Sequence, residues 1–262
     1  MTILKEKVLG YSFNLNSGCH LVEIFEEYID ISILQAPKTV LFFNAHSFHL
    51  SHRDKSFQKA IDSFDMIFPD GSGVVLASKL LSGNLKYRLT GYDFFILINQ
   101  MLNKKKHSKV FFLGSSDNTL SLIKKRMKED FEKIHVAGTY SPPFKEEFSR
   151  EDNEKMISLI NDSGADVLWV GMTQPKQEKW IHSNKDRLNV KLIAPIGAVF
   201  DFYAGTIKRP HALFQKFGIE TIGRFIQNPQ KMWRRNLVST PFFLWMLSKE
   251  FATIKFRNLF KK

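Results

Sequence analysis

The sequence predicts an α/β fold: a mostly parallel sheet flanked by helices and followed by a C-terminal helical appendage. Three observations predict it. Short apolar runs alternate with stretches of helical periodicity, several of those runs show no polar alternation, and the charge of the chain changes character near residue 206. Strand–helix alternation favours parallel strands joined by right-handed crossovers. Unalternated apolar runs are what strands buried on both faces require.

The strand-like runs are Thr39–Phe43, Met66–Phe68, Lys109–Leu113, Val136–Gly138, Asp166–Val170 and Lys191–Ala194. Helical patterns fall between them, near 52–63, 73–82, 92–103, 117–132, 149–162 and 175–187. Beyond about 205 the strands stop. Ala212–Phe217, Glu220–Ile226, Pro229–Leu237 and Pro241–Arg257 read as helices, punctuated by Gly218 and Pro229. Proline is tolerated in a first turn because its missing N–H has no partner there. The expected organisation is a core over 1–206 and an appendage over 207–262.

With 262 residues, 44% hydrophobic and 24% charged, the chain has the make-up of an ordinary globular protein. Its size suffices to bury a core without disulfide or metal. The single cysteine, Cys19, excludes an intrachain disulfide and suits a reducing compartment. MTILKEKVLGYSF lacks the pattern of a signal peptide, and the longest apolar run, Phe242–Leu247, has six residues, far short of a spanning helix. A cytoplasmic protein is expected. Its net charge of +12 is uneven: residues 207–262 hold twelve Lys and Arg against two acidic residues, the rest 26 against 24. A basic tail studded with aromatics suits anionic lipid, phosphate or nucleic acid. A merely solvated face does not account for the Phe and Trp.

Ligands of parallel sheets bind beyond the carboxyl ends of the strands. Those ends offer Asn44, Asp70, Gly114, the SPPF turn at 141–144, GMTQPKQE at 171–178 and GAVFDFYAGT at 197–206. Their convergence on one edge is the physical argument for an active site. Asp70, between Pro69 and Gly71, could take a proton from an acceptor hydroxyl or simply cap the following helix. Gly114-Ser115-Ser116-Asp117 suits either a phosphate-cradling turn or a plain turn with a capping side chain. Pro175 should open a helix, with Lys176, Gln177 and Glu178 in its first turn; amides there could hold a diphosphate, or Glu178 could merely face the helix dipole. G-x-G-x-x-G and P-loop sequences are missing, as are HExxH, CxxC and G-x-S-x-G spacings. No metal site and no cofactor is expected, and His46 and His49 read as residues of a surface turn.

The stretches NAHSFHLSHRD (44–54), DMIFPDGSGVVLASKLL (65–81), RLTGYDFF (88–95), VFFLGSSD (110–117), YSPPF (140–144), WVGMTQPKQEKW (169–180), GAVFDFYAGTIKRP (197–210) and RFIQNPQKMWRR (224–235), in this order, resemble the WecG/TagA/CpsF glycosyltransferases. The resemblance spans residues 8 to 240. It implies a Rossmann-like core and an inverting, metal-independent transfer from a UDP-sugar, an N-acetylhexosamine or uronic acid donor, to an undecaprenyl-diphosphate-linked acceptor. Such reactions build teichoic acids and other surface polysaccharides at the inner face of the membrane. The resemblance makes Asp70 the general base and puts Asn44 in the same pocket. It assigns Arg88 and Gln177 to the donor's diphosphate and sugar, and Asp201 with the Gly114 loop to the nucleotide. Arg224, Lys231 and Arg234 match basic residues that close over the site. The chain departs from the pattern at Phe42, where many members have Thr, at Thr221 in place of Trp, and at Lys231 in place of Arg. Lysine cannot make a bidentate phosphate contact.

Two other classes compete. A different nucleotide-dependent enzyme of Rossmann type would need the glycine fingerprint that the chain lacks. A nucleic-acid-binding protein fits the basic pI of 9.6. Against it, the positive charge is confined to the appendage, so no nucleic-acid partner is expected. The expected partners are a UDP-sugar, a polyprenyl-diphosphate-linked sugar and an anionic membrane surface; a homo-oligomer is left open.

Overall fold

In the computed structural model, the structure describes residues 4–15, 18–30, 36–211, 214 and 220–259. Its centre is a six-stranded sheet in the order β4-β3-β8-β7-β5-β6, every neighbouring pair parallel. The strands are β3 (Lys38–Phe43), β4 (Met66–Pro69), β5 (Lys109–Gly114), β6 (His135–Tyr140), β7 (Val167–Gly171) and β8 (Leu192–Pro195). All six overlap the apolar runs of the sequence. Ahead of them, β1 (Lys5–Val8) and β2 (Tyr11–Asn14) form a separate antiparallel hairpin. It turns through Leu9 and Gly10, both at positive φ. A two-residue turn of that kind matches the twist of the flanking strands.

Each central strand is buried on both sides. Phe42, Phe112, Trp169 and Ala194 belong to one hydrophobic cluster, while Phe43, Phe111, Val170 and Ile193 belong to the other. Side chains alternate across a strand, so two apolar clusters on opposite faces leave no position for a polar residue. That is the cause of the unalternated runs.

The first cluster is covered by α1 (Gly18–Asp30), α5 (Gly91–Leu102), α6 (Asp117–Asp130) and α9 (Val199–Ala204). The second is covered by α2 (Ala45–Arg53), α3 (Lys55–Asp62), α4 (Ser72–Leu80), α7 (Arg150–Ser163) and α8 (Lys176–Asn184). The segment 197–206, expected to be a loop, contains α9 instead. Val199, Phe200 and Tyr203 are buried at helical spacing, and that apolar face fixes the turn against the sheet.

The appendage is helical, as expected, with α10 (Glu220–Gln227), α11 (Pro229–Trp233), a π-helical stretch over Arg234–Ser239 and α12 (Thr240–Leu259). The helix expected at Ala212–Phe217 lies, except for Phe214, outside the described residues. The appendage is not merely tethered. On α12, Phe243 and Leu247 are 2% and 4% exposed and join the second cluster, whereas Leu244 and Trp245 on the opposite side are 48% and 58% exposed. Burial of such side chains contributes about 2 kcal/mol each. Among the described residues no helix is long and apolar enough to cross a membrane.

Candidate active site

The carboxyl ends of β3, β4, β5, β7 and β8 open onto one cleft of about 1600 Å³, roofed by residues of α10, α11 and the π-helical stretch. Asn44, Asp70, Ser115, Ser116, Gly171, Gln177, Gly197, Asp201, Arg224 and Arg235 all line it.

Asn44 ends β3 and is the N-cap of α2. Its Oδ1 accepts from the amides of His46 and Ser47 at 3.0 and 3.1 Å. That leaves Nδ2, which donates to Oδ2 of Asp70 at 3.0 Å. The helix cap of α4 is Gly71, at φ +100, so Asp70 is not the capping residue that its spacing allows. Its amide is fixed instead by the carbonyl of Phe43 at 2.8 Å. Water is kept from the half-buried carboxylate, which raises its pKa above the usual carboxylate range despite the Asn44 hydrogen bond. A carboxylate so placed is a better base than a solvated one.

The PKQE segment forms the opposite wall. The helix opens at Lys176, as the proline signals. Gln177 is buried; its Oε1 accepts from the Met172 amide at 3.3 Å and its Nε2 donates to Glu178 Oε1 at 3.0 Å. Gln174 Nε2 donates to the same oxygen at 3.1 Å. Glu178 is 1% exposed, and Oε2 has no partner among the described residues. Burial pushes its carboxyl pKa up. Lys176 also lines the cleft, its ammonium over the Phe148 ring and donating to the Lys145 carbonyl.

Gly114 does not line the cleft; Ser115 and Ser116 do. Gly114 has φ +116, and a Cβ there would stand 2.6 Å from the Gly171 carbonyl oxygen. Only glycine permits β5 and β7 to close up at this turn. Ser116 then caps α6, its hydroxyl accepting from the Thr119 amide at 3.2 Å. Asp201, in the first turn of α9, lies on the cleft wall, and its main-chain carbonyl accepts from Ile207 N–H. Phe42 packs on Phe94, ring centroids 5.2 Å apart, and lines the cleft.

Arg88 is expected at the diphosphate. The structure engages it with Glu220 of α10, Nη1 to Oε1 at 3.3 Å. Arg224 faces Asp70 across the cleft; burial lowers its pKa and the Asp70 charge opposes that shift. The second arginine of the roof is Arg235, not Arg234. Arg235 lines the cleft, while Arg234 is exposed and stacks on Trp233, 5.3 Å from the ring centroid. Helical phase explains the correction. The chain stays nearly helical across Pro229, because Asn228 N–H bonds to the Arg224 carbonyl and Met232 N–H to the Asn228 carbonyl. Eleven residues at 100° each bring Arg235 back within about 20° of Arg224, whereas ten leave Arg234 about 80° away. The eleven-residue spacing was available in the sequence. Burial pulls the Arg235 pKa down to about 10, with Arg224 adding to the shift and Asp70 and Glu178 opposing it. The side chain of Lys231 lies outside the described residues.

His46 and His49, read from sequence as a surface turn, lie on α2 and meet the appendage. The Ser239 hydroxyl is buried between them, 2.9 Å from His46 Nδ1 and 3.0 Å from His49 Nδ1. Among the described residues no cluster of three or more His, Cys, Asp or Glu side chains is arranged to hold a metal ion.

The profile of the glycosyl transferase WecG/TagA/CpsF family matches residues 7–257. The chain belongs to this family. It is a glycosyltransferase. Among its relatives is an N-acetylglucosaminyldiphosphoundecaprenol N-acetyl-beta-D-mannosaminyltransferase of Bacillus spizizenii, 32% identical over 199 residues, which cover 76% of this chain and 74% of the relative. Proteins of the same name from Bacillus subtilis and Staphylococcus aureus are 28% and 25% identical, covering 90% and 96% of this chain and 88% and 95% of their own lengths. The matched region includes the cleft residues of both the sheet and the appendage.

Proposed function

We propose that the chain transfers an N-acetylhexosamine, of the N-acetylmannosamine type named for its relatives, from UDP to a sugar carried on undecaprenyl diphosphate. The observation that carries this reading is the Asn44–Asp70 pair, a carboxylate of raised pKa held at the strand ends beneath two arginines of the roof.

The chemistry follows from that placement. Asp70 takes the proton of the acceptor hydroxyl as its oxygen attacks the anomeric carbon. The bond from that carbon to the UDP oxygen breaks on the opposite face, and its electron pair leaves with UDP, so configuration inverts. Asn44 holds the carboxylate in line by donating from Nδ2 to its Oδ2. Arg224 and Arg235 offset the charge that grows on the departing diphosphate, and no metal is invoked. Fixed cations in a cleft of low dielectric stabilise such charge more than solvated ones do. Gln177, anchored by Met172 and Glu178, and Asp201 are placed to meet the donor.

The appendage brings this cleft to the lipid. Ile226, Leu237 and Trp245 project apolar groups into solvent from successive helical segments, with Arg234, Lys249 and Lys255 interspersed. Apolar groups flanked by cations are what an interfacial segment needs to sit among anionic headgroups. The enzyme is then peripheral, at the cytoplasmic face of the membrane.

The test is incubation with a panel of UDP-sugars and a short-chain prenyl-diphosphate N-acetylglucosamine, reading released UDP and lipid-linked product. UDP-N-acetylmannosamine should be turned over with formation of a disaccharide lipid. Product from none of the UDP-sugars sinks the reading.

A further inference from the structure

Glu178 holds Gln177 in place and has no other part in the transfer, yet it lines the same cleft as Asp70 and is 1% exposed. A continuous chain of hydrogen bonds leads from it to the base. Glu178 Oε1 accepts from Gln174 Nε2 at 3.1 Å, and the same nitrogen donates to Ser47 Oγ at 3.0 Å. Ser47 Oγ lies 3.4 Å from Asn44 Oδ1 and accepts from the Asn44 amide at 3.3 Å. Asn44 Nδ2 then donates to Asp70. We propose that Glu178 is a positioning residue for the base: through Gln174 and Ser47 it sets the Asn44 amide, and with it the Asp70 carboxylate. The role of Asp70 as base rests on the glycosyl-transfer reading; the chain of bonds rests on the geometry.

Each link has a required direction. Glu178 Oε1 accepts from both Gln174 and Gln177, so it carries no proton and only an N–H can face it. The Gln174 amide is thereby turned with Nε2 nearer to Ser47 Oγ than its own Oε1, which stands 3.4 Å away. With that N–H on a lone pair of Ser47 Oγ, the hydroxyl proton is left for Asn44 Oδ1. An Asn44 whose Oδ1 is occupied can offer Asp70 only Nδ2. Ser47 is 0% exposed, so water does not stand in for a lost partner.

Hydrogen bonds that polarise one another in a dry interior carry such an orientation further than isolated ones do. A base must also be aimed closely, because a small misplacement of a reacting group costs rate steeply. Charge is the other route by which Glu178 could reach Asp70. The charges that act most on Asp70 are those of Glu220 and Arg224 on α10 and of Arg235 on the π-helical stretch, while Glu178 acts on Arg235. The two routes have opposite signs. The Asn44 hydrogen bond favours the ionised form of Asp70, so loosening Asn44 raises the Asp70 pKa. Removal of a nearby negative charge lowers it.

A purely structural clamp between α8 and α2 is the competing account, and the titration of Asp70 separates the two. Carboxyl carbon NMR of the full chain without substrate reads the Asp70 midpoint, its signal assigned by its loss in Asp70→Asn. Gln174→Met keeps bulk and charge but has no donor. It should raise the midpoint by about 0.5 to 1 pH unit, the equivalent of one net hydrogen bond. Glu178→Gln, a weaker acceptor, should raise it by less. Ser47→Ala severs the chain beside Asn44, and adding Gln174→Met to it should shift the midpoint no further. Tyr11→Phe takes from α2 a buried hydrogen bond, to Ser51, that is no part of the chain. It should lower the melting temperature and leave the midpoint alone. In turnover, Gln174→Met should lower kcat about 10-fold above the acid limb, with UDP affinity near wild type. An unchanged midpoint in folded Gln174→Met, an equal rise in Tyr11→Phe, or a fall in Glu178→Gln overturns the proposal whatever the activity. Wild type that turns over no UDP-sugar, while Gln174→Met still raises the midpoint, leaves the chain of bonds standing and sinks the transfer reading.

Discussion

Asn44 and Asp70, 26 residues apart in sequence, share a hydrogen bond of 3.0 Å across the ends of two adjacent parallel strands. Asn44 is fully committed, capping α2 with Oδ1 and steadying Asp70 with Nδ2. Asp70→Asn keeps the shape and removes the base. Its kcat should fall about 10²- to 10⁴-fold with UDP affinity little changed. Because burial raises the Asp70 pKa, the acid limb of the wild-type kcat/KM profile should lie above the usual carboxylate range. The base form is lost as pH drops through that value. Asn44→Asp keeps the cap acceptor but sets a second carboxylate against Asp70, so it should move this limb to still higher pH. A near wild-type rate in folded Asp70→Asn would return Asp70 to a structural role.

Arg234 and Arg235 offer a cleaner contrast than either would alone. They are neighbours, yet Arg235 lines the cleft and Arg234 stacks on Trp233 outside it. Arg235→Ala should lower kcat by about 10²-fold or more, as loss of one transition-state donor does. Arg234→Ala should stay within a few fold of wild type in solution with a short-chain acceptor. Reversal of that order in steady-state rates would show that the helix sits in the other phase when the enzyme works.

The core was legible because β3, β5, β7 and β8 are buried on both faces, which leaves an unmistakable apolar run in the sequence. The strand-end rule then located Asn44, Asp70 and the PKQE segment without any knowledge of contacts. Other elements left weaker signals. The β1–β2 hairpin is signalled only by Leu9-Gly10, and α1 by Leu21, Ile24, Phe25 and Ile29 at helical spacing. In 197–206 the Gly residues at both ends suggest a loop, and the buried face of the short α9 is too brief to compete. The Asn44–Asp70 bond and the Ser239 contacts with His46 and His49 join residues far apart in the chain, and tertiary packing alone brings them together. The resemblance points to Arg234, and its spacing of three from Lys231 is as helical as the four of Arg235; only the phase relative to Arg224 sets Arg235 on the cleft.

The seat of the appendage should respond to pH. Burial, aided by the charge of Arg235 and by His49, pulls the His46 pKa down to about 3 from an ordinary 6.5. The unfolded chain therefore binds a proton that the folded chain refuses between those values. This contribution to stability is complete above about pH 6.5 and is lost as pH falls toward 3, by at most about 1.4 kcal/mol per pH unit for one proton. Buried Asp70 and Glu178, whose pKa values are raised, act with the opposite sign, and a paired comparison removes them. His46→Asn retains a polar atom for Ser239 but cannot titrate. Thermal melts from pH 7 to 5 should show a steeper loss of stability in wild type than in His46→Asn. Parallel curves would mean that His46 takes up its proton in the folded state.

Membrane attachment calls for point variants and not truncation. Cutting after Thr206 strips Phe243 and Leu247 from a core cluster, so loss of activity there would say little about lipid. Ile226, Leu237 and Trp245 are exposed, and their replacement leaves that cluster intact. The triple variant Ile226→Glu, Leu237→Glu, Trp245→Glu removes apolar area and adds three negative charges to a basic surface. Each basic residue near an anionic leaflet contributes on the order of 1 kcal/mol, and inserted rings add to it. Wild type should sediment with anionic liposomes at low salt and release them as salt rises. The variant should stay in the supernatant while it keeps the wild-type melting temperature and UDP affinity. Its rate should be preserved with a short-chain acceptor in solution and depressed with an undecaprenyl acceptor in vesicles. Equal sedimentation of the two proteins, or a wild type that ignores anionic vesicles at low salt, would leave these side chains without a membrane role and point to another contact for them.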